Sequence, residues 1–114
     1  MKLSDFSFHE ADVVDLRQDG NRVILVLDGV KSAKNDYYMH LNFCDVMRLH
    51  IDSFPMQKIG MFYESGEVLR LSQRREGEFE FFMEWTDFAK HTQTTKYYEI
   101  KCSSLQMDFH QKTT

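Results

Sequence analysis

A chain of 114 residues with 42% apolar and 28% charged side chains has the size and balance of one globular domain, 1–114, and its single proline and five glycines leave no low-complexity tract. Fourteen basic residues against eighteen acidic give a net charge of −4, which argues against the clustered Lys and Arg that phosphate binding draws on, so no nucleic-acid partner is expected. The longest apolar run, VILVL at 23–27, falls far short of the roughly 20 residues of a membrane helix, and no membrane partner is expected either.

The chain opens MKLSDFSFHE, with one lysine and no apolar stretch of the length a secretory signal needs, so a cytoplasmic location is the expectation. Ser7, Phe8, His9 and Glu10 follow the S-x-x-E pattern of a capping box, which predicts one short helical turn and makes this segment a structural corner ahead of the first strand. The alternative, His9 as a base oriented by Glu10, lacks a marked nucleophile, and adjacent residues in a turn point different ways.

Beyond that corner, β signals dominate. Asp19-Gly20 predicts a two-residue hairpin pairing 11–18 with 21–28, in which Leu16 faces Val23, Val14 faces Leu25 and Val13 faces Val26. Alternation puts Tyr37, Met39, Leu41 and Phe43 on one face of a strand over 37–44, and Met47, Leu49 and Ile51 on the inner face of the next. If those two strands form a hairpin over Cys44, Asp45 and Val46, His40 opposes His50, a weak candidate metal pair set against the simpler reading of two solvated histidines.

Residues 66–73 and 77–85 predict a second hairpin closed by a left-handed Gly77, with Phe79, Phe81, Met83 and Trp85 inward and Glu78, Glu80 and Glu84 outward. Phe82 falls on the outer face between Glu80 and Glu84, so these three residues form a candidate binding site: an aromatic anchor ringed by charge. Residues 86–95 read as an irregular connection. YYEIKC and SLQMDFH then read as two further strands, the second with Leu105, Met107 and Phe109 inward.

The total is a mainly β protein: eight or nine short strands in an antiparallel sandwich or strongly curled sheet, with one or two short helical turns at most. Cys44 and Cys102 are expected as free thiols. There is no G-x-S-x-G, no P-loop and no G-x-G-x-x-G, so no enzyme and no cofactor is expected.

FHEADVVDL followed by the DGN hairpin resembles the F-H-[DE]-[AS]-x-[VIL] start of small bacterial β-rich domains, mostly uncharacterised, some of which look like immunity proteins of polymorphic toxin systems. Phe8, His9, Glu10, Ala11 and Val13 match that start, with Glu10 where aspartate is more usual, and LNFCDV, GEVLRL, MEW and YYEI continue the outline. The resemblance implies a cytoplasmic, non-enzymatic domain whose partner is another protein, such as a toxin domain. The runner-up is a ligand-binding or accessory β-domain with its cavity inside the curled sheet. Self-association is left open.

Overall fold

The computed structural model of the chain describes residues 2–112. Seven strands follow a single 3-10 turn at Leu3–Asp5: β1 (Asp12–Asp19), β2 (Arg22–Ser32), β3 (Asn35–Ile51), β4 (Phe54–Pro55), β5 (Ser65–Arg75), β6 (Glu78–Asp87) and β7 (Thr92–Gln111). They pair antiparallel in the order β2-β1-β5-β6-β7-β3-β4, and an additional β2–β3 pairing closes the ring. The sheet thus curls into a six-stranded barrel with β4 appended to the end of β3, flattened to about 23 Å in its shortest dimension.

Two long strands run the length of the molecule. Early β3 pairs with β2 and its last residues with β4, while β7 pairs with β6 over 92–101 and with β3 over 98–111. β3 changes layer at Asp45, whose φ is 53°, next to a register shift between Val46 and Arg48. Strands that pass from one layer of a flattened barrel to the other turn the corner at such bulges, because an extra residue on one strand bends it and tightens its twist.

That corner corrects two expectations. Residues 44–46 do not close a hairpin, so His40 lies against Val26 and Asp108 while His50 lies against Pro55 and Glu99. Ten positions along one strand, up to about 33 Å of extended chain, separate the two imidazoles that were to share a metal. The bulge also shifts the alternation by one. Val46 packs against the core and Met47 is exposed, whereas Leu49 remains inward as expected.

The first hairpin forms with a different turn. Gly20 and Asn21 are its central residues, and Gly20 takes a φ of 61°, the glycine-first pattern of a type II′ turn. The register therefore moves by two, so that Leu16 faces Leu25, and a bulge at Val14 exposes that side chain. Residues 86–95 are more regular than expected. β6 runs to Asp87, four residues turn the chain, and Asp87 Oδ1 accepts hydrogen bonds from the backbone N–H groups of Ala89 and Lys90. What reads as two strands after that turn is the single strand β7.

The core follows the alternation of β2, β3 and β6. Val23, Leu25 and Leu27 meet Met39, Leu41 and Phe43 across one pairing, and Phe79, Phe81, Met83 and Trp85 project from β6 into the same cluster. Trp85 donates its indole N–H to the Tyr98 hydroxyl at 2.9 Å inside it, so both polar tips are satisfied. Gly66 lies directly opposite Trp85, and a Cβ there would come within 2.6 Å of the indole. The missing side chain lets the ring lie flat on β5.

Candidate protein-binding surfaces

The segment from Ser7 to Glu10 stitches the barrel's narrowest seam. Ser7 exchanges backbone hydrogen bonds with Lys31 of β2, at 2.7 and 3.0 Å, so its N–H is spent on the sheet and the expected capping box does not form. The helical turn sits earlier, at Leu3–Asp5, where Asp5 Oδ2 accepts from the Lys2 backbone N–H. After Ser7 the chain turns at Phe8, with Ala11 N–H donating to Phe8 O, and Glu10 adopts a positive φ of 68°.

The turn meets β5 where β5 itself bulges between Val68 and Arg70. Glu10 N–H donates to Val68 O, Val68 N–H donates to Ala11 O, and His9 Nδ1 lies 3.0 Å from Leu69 O. A carbonyl only accepts, so this contact places the proton of His9 on Nδ1. β1 and β5 share just two ladder pairs, Asp12 with Glu67 and Val13 with Gly66, and the corner adds the bonds that hold the seam shut. His9 and Glu10 themselves approach to 3.5 Å with side chains 64% and 69% exposed. The neighbouring Phe6 and Phe8 are buried, and Phe6 packs edge-on against Tyr37 and Phe109.

Phe82, Glu80 and Glu84 all lie on the outer face of β6, and the first two are engaged. Phe82 stacks on Tyr97 with ring centroids 4.5 Å apart, and the Arg70 guanidinium covers it at 5.1 Å. Glu80 accepts from the Tyr97 hydroxyl at 2.7 Å and from Arg70 at 3.3 Å, and only 15% of its side chain is exposed. It also sits directly opposite Glu99. Arg74 bridges both carboxylates, at 3.8 Å and 3.2 Å, which relieves the like-charge pairing. Burial, then the Glu80 hydrogen bond and the surrounding carboxylates, pushes the Tyr97 phenol up to about 12. Glu84 differs, lying in a row with Glu67 and Asp12 and making no ion pair among the described residues.

One end of the barrel carries residues that sequence alternation did not single out. Phe88 at the β6–β7 turn is 65% exposed and Phe62 is also open to solvent, whereas the exposed Phe54 and Met56 belong to the segment bonded to the end of β3. A cleft of about 700 Å³ runs here between residues 61–64 and the β6–β7 turn, with Glu64 and Asp87 in its wall and Phe62 and Phe88 on its rim. Its framework is fixed. Asp52 Oδ1 accepts from Tyr97 N–H at 2.9 Å and Asp52 Oδ2 pairs with Lys96 at 3.1 Å, and the Lys96 ammonium lies 4.6 Å from the Phe62 ring centroid. Residues 56–64 have no period of two or 3.6, so no strand or helix pattern could flag them. The visible signal is the run of large apolar residues MFY in a loop.

The curl of the sheet also gathers Arg48, Arg74, Arg75 and Lys101, distant in sequence, around a smaller polar cleft, where Glu78 and Glu99 hold two of the four. Among the described residues no group of three or more His, Cys, Asp or Glu side chains is placed to hold a metal ion. No helix of the described residues is long and apolar enough to cross a membrane. Comparison of the chain with protein-family models, with curated proteins and with solved structures finds no match.

Proposed function

We propose that this protein is a binding domain that acts by covering part of another protein's surface, with no chemistry of its own, and that the cleft lined by Phe62 and Phe88 makes the contact. The observation that carries this reading is the pair of exposed rings, Phe62 and Phe88, lining an open cleft with two carboxylates in its wall. Exposed apolar groups that are grouped and rimmed by polar ones mark interaction sites, whereas scattered ones do not. Aromatic anchors supply most of the energy in such interfaces, and the acidic wall with a net charge of −4 favours a partner that brings cations to the rim. The resemblance of FHEADVVDL to the start of small bacterial β-rich domains, some of which look like immunity proteins, suggests a toxin domain as that partner.

A ligand-binding role draws less support. Trp85, Tyr98, Phe43, Phe81 and Leu16 are among the side chains that fill the barrel interior, so a small molecule would have to use the surface clefts. The deciding experiment is affinity capture from the source cell with three baits: the native chain, Phe62→Ala with Phe88→Ala, and Phe82→Ala. A protein retained by the native chain and by Phe82→Ala, and lost from the double variant, is the expected result. Loss of two hot-spot rings weakens binding by about thirtyfold or more. Loss with Phe82→Ala alone would move the interface to the outer face of β6, and a bound small molecule with no protein would reject the proposal.

A further inference from the structure

β7 changes surroundings halfway along. From Thr92 to Lys101 it is paired with β6, but β6 begins at Glu78, and beyond the bond from Cys102 N–H to Gly77 O no strand among the described residues pairs with that flank of β7. Residues 103–111 hydrogen-bond only to β3 along the ladder, so half of their backbone groups find no backbone partner among the described residues. Leu105, Met107 and Phe109 face the core from this edge and stay half-buried for want of a neighbouring strand. An open concavity lies alongside, between Ser103–Met107 of β7, residues Lys2 and Leu3, and the tip of the β5–β6 hairpin.

The other edges of the folded sheet are shorter or partly covered; residues 92–96 of β7 have no ladder partner on the β3 side among the described residues, and this stretch carries Lys96. Residues 57–60 lie along β1, where Ile59 N–H donates to Gln18 Oε1. The Ser7–Glu10 corner lies on β5, and β4 on the end of β3 is two residues long and contains Pro55. Proteins guard long edges with proline, lysine, bulges or covering loops. Residues 103–110 have no proline, no lysine and no register shift, and Asp108 is their one acidic residue.

We propose that this edge is the interface of a homodimer, in which two copies of β7 pair antiparallel about a two-fold axis through Met107. The segment is self-complementary in that register. Met107 meets its own copy and Leu105 meets Phe109 of the second copy on the core face, which extends both apolar rows. On the outer face Gln106 meets Asp108 and Ser104 meets His110, each a donor against an acceptor. Moving the axis to Asp108 would put two carboxylates face to face, and moving it to Gln106 would leave Phe109 against Ser103, so the sequence selects one register. The dimer leaves the barrel end around Phe88 free, and it stands or falls independently of the partner proposed above.

Gln106 and Asp108 are exposed, so their substitution leaves the monomer core untouched. Sedimentation equilibrium of the full chain over a wide concentration range tests the pairing, with a thermal melt of each variant to confirm folding. The native chain is expected to dimerise. Gln106→Asp, which sets Asp against Asp108 twice by symmetry, is expected to raise the dimer dissociation constant about tenfold or more. Adding Asp108→Lys to it restores opposite charges at both positions and is expected to bring the constant back to within about threefold of the native value. A native chain that stays monomeric at millimolar concentration overturns the dimer. A dimer indifferent to Gln106→Asp, or one weakened but not rescued by the second change, overturns this interface.

Discussion

The outer face of β6 around Phe82 and the barrel end around Phe88 hold the same kinds of residue, aromatic rings among charges, yet one is closed on itself and the other is open. Phe82 is stacked and covered, and Glu80 has Tyr97, Arg70 and Arg74 about it. Phe88 is exposed, and nearby Phe62, which touches the Tyr63 ring and the Lys96 ammonium, is still 43% exposed. A partnered surface has already spent its interaction energy on folding, while an unpartnered one keeps it for a second molecule. Which is which depends on cross-strand neighbours, and those come from register rather than from the local sequence.

Trp85 tests what the two surfaces share, because β6 carries Phe82 on one face and Trp85 on the other. Trp85→Ala empties the largest fully buried side chain and leaves the Tyr98 hydroxyl without its donor, so a loss of about 4 kcal/mol in urea unfolding is expected. Both surfaces should then fail together. A loss below about 1 kcal/mol would mean that the layer beneath them is not a packed core.

Tyr97 and Tyr98 are adjacent and point to opposite sides, so alkaline titration compares outside with inside. Burial pushes the Tyr98 phenol up to about 12 against the opposing effect of its Trp85 hydrogen bond, with Asp52 adding to the rise. In the unfolded chain tyrosine ionises near pH 10. The folded value is the higher one, so the contribution to stability is fully present below pH 10 and is lost as pH rises through 12. Two units correspond to at most about 3 kcal/mol for this buried group. Chemical denaturation at pH 9 and pH 11.5 should show the fall, and Tyr98→Phe should flatten it more than Tyr97→Phe does. Equal slopes in the two variants would mean that the solvent-screened Tyr97 contributes as much as the buried Tyr98, and a flatter profile for Tyr97→Phe would place the effect on the outer face.

How much of this was legible follows the same division. Alternation reads the inward faces of 37–43, 79–85 and 105–109 correctly because one face of each is buried and a period of two survives along an uninterrupted strand. It fails where a strand carries an extra residue. Asp45 has the left-handed backbone that a turn would require, so residues 44–46 look like a hairpin loop when they are a corner within β3. His9 and Glu10 are recognisable as a corner, but the β5 bulge that receives them lies some 60 residues away. The barrel-end aromatics sit in loops, where no periodicity exists to be read.

The smallest expected difference is the most direct measure of the comparison. Phe82→Ala removes a ring stacked between Tyr97 and Arg70 on a half-buried face, so a loss of about 1 kcal/mol is expected, from stacking and cation–π contact together. Phe88→Ala removes a ring that is 65% exposed, and its effect on unfolding should stay within about 0.5 kcal/mol. Paired urea titrations of the two variants measure this directly. If Phe88→Ala proves the costlier change, the turn at residues 88–91 is held by its ring and the barrel end is not a free surface. If Phe82→Ala costs nothing, the stack on β6 contributes no stability, and that face regains its standing as an anchor for a partner.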